Sequence, residues 1–266
     1  MLNRLWSGRI TLFRRSALCW LFILLFPPLT VIAQERVEQN CQPEVARFLQ
    51  ATAGISLAEK IDSLWSHFGG RPFASGTLTT SGQPEELIMR LDSFDCITWI
   101  DQAVALLQAT NWEEYQQCLV LNRYFDSDIS FRTRRHFFSD WLERPEWYTP
   151  AALQTQQSQK LLNRRGEDQR WIPGLPVRPC QLAWLPAAAL PACAAELNDA
   201  DLVGFISDRP GLDVSHVGLL QVKGEQVLLM HASSTAGAIV REDLFKYADR
   251  YPGVIIIRQR WNGGLD

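Results

Sequence analysis

Only four histidines occur in 266 residues, His67, His136, His216 and His231, and two of them fall in neighbouring β-type patterns. Ser215-His216-Val217-Gly218-Leu219 and Leu229-Met230-His231-Ala232-Ser233 both read as strands, with a turn signal at Gly224 between them. A tight turn at Lys223-Gly224 sets His216 directly opposite His231. A four-residue loop from Lys223 to Gln226 slips the pairing by two and leaves them diagonal neighbours on one face, whereas an odd-length loop separates the faces. Two adjacent imidazoles can be hydrogen-bonded core residues, part of a metal site, or a relay. In a relay one ring takes a proton while the other fixes its tautomer. A metal needs more ligands than the one near candidate, Asp213, supplies.

The chemistry of such a relay depends on what it serves, and Cys96 is the nucleophile on offer. It stands where Asp92-Ser93-Phe94-Asp95 enters a helical pattern, with Ile97, Ile100, Val104 and Leu107 at spacings of three and four. Ser93 or Asp95 can cap that helix. A thiol in the first turn feels the positive end of the helix dipole, which favours the thiolate, and the same amides can form part of an oxyanion hole. The position also suits a buried structural cysteine. Two facing histidines favour the catalytic reading: Cys96 as nucleophile, His216 as base, His231 as orienting residue, in acyl transfer or hydrolysis. The sulfur and both rings must then meet on one side of the sheet, and a thiolate–imidazolium pair is expected to work near neutral pH. No cofactor or metal is required.

These residues need elements to hold them. Ser56-Leu57-Ala58-Glu59 reads as a capping box opening a helix that runs towards His67 and stops at Gly69-Gly70. Pro84 to Leu91 reads as a short helix and Trp112 to Tyr124 as another, while Tyr148 to Pro191 reads as a long irregular region over the core. Strands are expected at Leu202 to Ile206, Ser215 to Val222, Val227 to Ala232 and Val254 to Arg258, with a short helix from Glu242 to Arg250. Helices first and strands later, without strict alternation, predict an α+β fold with an antiparallel sheet packed against the helix that carries the cysteine.

Residues 1–33 read separately, as an export signal. Arg4, Arg9, Arg14 and Arg15 precede an apolar run from Ala17 to Phe26, and Val31-Ile32-Ala33 offers small or β-branched residues at an exit site. The run is short for a membrane span and ends at Pro27-Pro28. Residues 34–266 are then one exported, periplasmic catalytic domain with no stable membrane insertion. The signal holds four of 26 basic residues and no acidic ones, leaving 22 against 29, a net charge of −7. No basic tract argues for nucleic acid, so recognition falls to a shaped cleft. Five cysteines remain, a count that suits two disulfides and one free thiol in an oxidising compartment. The expected pairs are Cys180 with Cys193 and Cys41 with Cys118.

Arg135-His136-Phe137-Phe138-Ser139-Asp140-Trp141 carries aromatic, basic and acidic side chains that suit sugar and peptide recognition; it equally suits a helix start packing its rings into the core. Phe94 to Ile100, Gly211 to Gly218 (including Ser215 beside His216) and Met230 to Ser234 resemble the three signatures of the NlpC-type papain-like cell-wall hydrolases. More narrowly, with Phe68 to Glu86 and Arg135 to Trp141 added, residues 60 to 260 are similar to the AmiA-like family of N-acetylmuramoyl-L-alanine amidases. Ile97 and Trp99 depart from that pattern at packing positions. The resemblance implies a papain-like core and hydrolysis of the bond between the lactyl group of muramic acid and L-alanine in peptidoglycan fragments, preferably anhydro-muropeptides. The candidate substrate contacts are Asp95, Arg135, His136, Asp140, Trp141 and Ser215. A γ-D-glutamyl-diaminopimelate endopeptidase of the same fold is the alternative. In that reading Asp95 holds the free amine of L-alanine, and in the amidase it caps the helix. A non-enzymatic wall-binding module would have no use for all three of Cys96, His216 and His231.

Overall fold

The computed structural model describes residues 41–79 and 82–260. The expected export signal lies outside them, and no helix among the described residues is long and apolar enough to cross a membrane. After helical residues 41–51 (α1) comes α2, Leu57–Phe68, capped by the Ser56–Glu59 box and followed by Gly70 at φ +82°. Helix α3 spans Cys96–Gln108 and α4 spans Trp112–Arg123, with Asn111 accepting from the Glu114 N–H.

Every residue of α3 from Thr98 to Leu107 is buried, more than the single apolar face expected. The cause is position: α3 packs on the sheet with one side and against α2 and α4 with the others. That placement also buries Asp101, which is matched by Arg123 of α4 through two hydrogen bonds of 2.9 and 3.2 Å.

The expected helix at Pro84 to Leu91 does not form. The chain there is extended, and Leu87, Met89 and Leu91 go inward in alternation. Its carbonyls are held from outside the segment, Ile88 by Arg123 at 2.7 Å and Arg90 by Gln102 at 3.3 Å, so side chains of α3 and α4 replace an internal helical ladder.

The region expected to be irregular instead contributes three strands: β1 Tyr148–Pro150, β2 Gln156–Leu162 and β3 Arg178–Pro186. Strands β4 Leu202–Ile206, β5 Val214–Lys223, β6 Gln226–Ser233, β7 Ala238–Asp243 and β8 Gly253–Gln259 complete one antiparallel sheet. The order is β2-β3-β8-β4-β5-β6-β7, with β1 also pairing to β8. Strand β2 escaped expectation because it is polar and largely exposed, with one buried residue, Leu162. Helix α5 is shorter than expected, Leu244–Ala248, because Asp243 caps it by accepting from the Lys246 N–H; Glu242 stays in β7.

The sheet separates two cores. The larger lies between α1–α4 and the sheet, with Val217, Leu219, Met230 and Ala232 as its floor. The smaller lies on the other face under α5, with Phe205, Leu220, Leu229, Tyr247 and Ile256. Neither expected disulfide forms; all five cysteines among the described residues are free. Cys180 packs with the larger core and Cys193 with the smaller, on opposite sides of the sheet, and the Cys41 thiol donates instead to the Met89 carbonyl at 2.9 Å.

Candidate active site

The β5–β6 hairpin turns on Gly224 and Glu225, with Lys223 opposite Gln226, which is the slipped register of the two expected. His216 and His231 are therefore diagonal neighbours on one face, and the Nε2 of His216 lies 2.7 Å from the Nδ1 of His231. Gly218, opposite His231, has no side chain for a reason: a Cβ there would stand 2.4 Å from Leu229 and 3.1 Å from the Cβ of His231.

The second imidazole is held by a residue the sequence did not single out. His231 Nε2 lies 2.8 Å from a carboxylate oxygen of Glu242, whose other oxygen is 3.6 Å from Arg250. This order fixes the protons. A carboxylate only accepts, so His231 donates from Nε2 and its Nδ1 is left to accept. His216 must then donate from Nε2, which leaves a bare lone pair on His216 Nδ1. Three bonds in series thus turn one imidazole into a base of defined orientation.

Both rings lie on the α5 face of the sheet, with His216 6.2 Å from Phe205 and His231 4.8 Å from Tyr247, ring centre to ring centre. Helix α3 packs on the other face. The expectation that the sulfur and both rings share one side of the sheet is therefore not met. The cysteine instead stands at a fork: the β5–β6 ladder stops at Leu219–Met230, and beyond it β5 follows β4 while β6 follows β7. The first turn of α3 plugs this fork. Trp99 donates from its indole to the Met230 carbonyl at 3.3 Å, and the Cys96 sulfur lies by the amide of Val217, the residue after His216. No hydrogen bond joins the thiol to either ring among the described residues.

Asp95 caps α3, accepting from the Thr98 N–H at 2.8 Å and from the Thr77 hydroxyl at 2.9 Å. With the Thr98 amide engaged, the amides of Cys96 and Ile97 remain beside the sulfur. They pull its pKa down, but burial first and Asp95 second push it up to about 11. The helix terminus thus loses to desolvation. Burial, then the neighbouring ring of His231, pushes His216 down to about 3. Both shifts favour a neutral thiol and a neutral imidazole over the ion pair expected at neutral pH.

A cleft of about 410 Å³ opens in front of Cys96. Asp95, Arg135, His136 and Trp141 line it, as do Thr79, Asn122 and Trp171. His136 donates from Nε2 to the Phe131 carbonyl at 2.7 Å, an acceptor that fixes its tautomer, and Trp141 is buried against Tyr148. Asp140 is not available to a ligand as expected. One of its oxygens takes the His136 and Phe137 amides, both at 3.0 Å, and the other is paired with Arg178. Ser215 is exposed at a bulge in β5, outside the cleft lining.

The far wall comes from the loop between β2 and β3, and Asn163 organises it. This buried residue, at φ +69°, donates to the Ile172 and Leu175 carbonyls, both at 3.0 Å, and accepts from the Ile172 N–H at 2.7 Å. Trp171 is tied down by its indole to the Pro210 carbonyl at 2.8 Å.

Among solved structures the chain is similar to an N-acetylmuramoyl-L-alanine amidase from Bacteroides uniformis ATCC 8492, with 22% identity, a TM-score of 0.67, and coverage of 77% of this chain and 99% of that one. A Legionella pneumophila protein matches with 17% identity and a TM-score of 0.69, over 85% of this chain and 96% of its own. A Bacteroides fragilis protein that carries a xylanase description matches with 24% identity and a TM-score of 0.63, over 74% and 99%. These likenesses concern the fold. No curated protein is matched by the sequence. The model of the AmiA-like, N-acetylmuramoyl-L-alanine amidase-like family matches residues 63–254, from within α2 to the start of β8, and the chain belongs to that family.

Proposed function

We propose that this protein is an exported, cysteine-dependent N-acetylmuramoyl-L-alanine amidase of papain-like type, acting on peptidoglycan fragments such as anhydro-muropeptides in the periplasm. The observation that carries the reading is the series His216–His231–Glu242, which leaves a bare Nδ1 on His216, the residue before the Val217 amide that meets the Cys96 sulfur.

The chemistry follows from that proton order. As the Cys96 sulfur attacks the amide carbonyl, its proton passes to His216 Nδ1, so the ion pair forms only when the substrate carbonyl is there to take up the charge. The amides of Cys96 and Ile97 donate to the oxyanion. His216, now an imidazolium stabilised through His231 by Glu242, returns the proton to the nitrogen of L-alanine. The C–N bond breaks and a thioester to the lactyl group remains. A water gives its proton to His216 and its oxygen to the carbonyl, releasing acid and thiol.

Asp95 favours this reading over the endopeptidase, since its oxygens are engaged by Thr98 and Thr77 rather than held out to an ammonium group. A glycosidase needs two available carboxyl groups flanking a sugar bond. The cleft's carboxylates are Asp95, which caps, and Asp101, which is bound to Arg123. Incubating the parent protein with one defined anhydro-muropeptide and weighing the products separates the readings. Free stem peptide plus the sugar acid supports the amidase; cleavage within the stem, or turnover undiminished in Cys96→Ala, overturns it.

A further inference from the structure

Among the described residues five buried side-chain polar atoms have no hydrogen-bond partner, and two of them, Arg135 Nε and Asn122 Nδ2, belong to residues that line the cleft beside Cys96. Both are donors. Asn122 is fully buried and its oxygen is used, accepting from the Tyr148 hydroxyl at 2.6 Å. Arg135 is 5% exposed; its guanidinium lies over the Phe125 ring at 4.1 Å and makes one hydrogen bond, from Nη1 to the Asp140 carbonyl at 3.0 Å. Their backbones run close together, since the Arg135 N–H donates to the carbonyl of Arg123, the residue after Asn122.

The other arginines of the cleft are matched: Arg123 by Asp101 and Arg134 by Glu85 at 3.1 Å. Arg135 has no ion pair among the described residues. A buried cation without a counter-ion and a buried amide N–H without an acceptor, on residues lining one cleft, are unfavourable by themselves and favourable around an anion. A planar guanidinium fork and an amide N–H match the two oxygens of a carboxylate.

The geometry points to Arg135 and Asn122 as a carboxylate-binding subsite of the cleft. Resting on the amidase reading, it takes a free carboxylate of the stem peptide, and the nearest one to the bond cleaved is the α-carboxylate of the γ-linked D-glutamate. The subsite then selects stems whose second residue is the acid over those in which it is the amide.

Titration calorimetry on the Cys96→Ala protein tests this with two ligands, N-acetylmuramoyl-L-alanyl-D-glutamate and its D-isoglutamine counterpart, which differ only in carboxylate against carboxamide. The acid is expected to bind about tenfold more tightly or better, the size of effect seen for a buried charge-assisted pair. A difference smaller than that, as when the donors merely hold a water, overturns the subsite. Arg135→Gln on the same background should remove the preference, and a preference surviving in folded Arg135→Gln overturns it as well. The ligand comparison decides alone if that variant fails to fold. Discrimination without any cleavage by the parent protein would retain the subsite and sink the amidase. Cleavage by the parent together with equal binding would do the reverse.

Discussion

Glu242→Gln tests the relay at its outer end. The substitution keeps an oxygen that can accept from His231 Nε2 but removes the negative charge, so geometry survives and electrostatics do not. Adding the 2.8 Å bond to the 4.8 Å separation of the two rings puts that charge about 8 Å from the imidazolium formed on His216. At an effective dielectric of about 20 the attraction is about 2 kcal/mol. The Glu242 side chain is 38% exposed and Arg250 partly neutralises it, so screening reduces this to about 1 kcal/mol. The expected result is a fall in kcat of about fivefold with KM unchanged, since neutral ground states gain nothing from the charge. The acid limb of the rate profile should also move to lower pH, because loss of an anion disfavours the imidazolium. Glu242→Ala should cost more, for it lets His231 turn over its tautomer. Steady-state kinetics across pH, with thermal melts as a control for folding, decide the matter. A folded Glu242→Gln protein with the parent's kcat and the parent's pH profile would refute the proton order from Glu242 through His231 to His216.

Three further outcomes are expected. The resting thiol of Cys96, pushed up to about 11, should react slowly with iodoacetamide at pH 7, its rate climbing about tenfold per pH unit through pH 9; a plateau already reached at pH 7 contradicts a neutral resting pair. His216, pushed down to about 3 by burial, binds its proton more weakly folded than unfolded, so its contribution to stability is full above about pH 6.5 and is lost as pH falls towards 3. The melting temperature should drop across that window, and less steeply in His216→Gln. Gly204→Ala should destabilise by about 1–3 kcal/mol, since the new Cβ would meet Phe138 at 2.5 Å and Val214 at 2.7 Å; denaturant melts give the value.

Where local chemistry dictated structure, reading the residues was enough. The Ser56 box, the Asp95 cap and the β-branched or apolar runs of β4, β5, β6 and β8 formed as their residues require. The histidine pair was legible because side chains in strands alternate, so either even-length hairpin loop places both rings on one face. Tertiary context decided the rest. Residues 84–91 gave up a helix because Arg123 and Gln102 satisfy their carbonyls, and polar β2 became a strand because β3 was there to pair with it. Glu242 went unnoticed as a partner because Asp243, one residue later, caps α5 and leaves Glu242 in the strand beside His231. The thiol's place on a helix shows in sequence, but the burial that opposes the thiolate does not.

The cleft and the relay open on opposite faces of one sheet. A ligand seated against α3 covers the sulfur, but the far end of the bond series, Glu242, stays 38% open to water on the α5 side while His231 is wholly enclosed. The carboxylate that holds His231 therefore stays in contact with bulk solvent when the cleft is filled. Salt and buffer can thus screen or titrate the outer end of the bond series from the rear, whatever occupies the front.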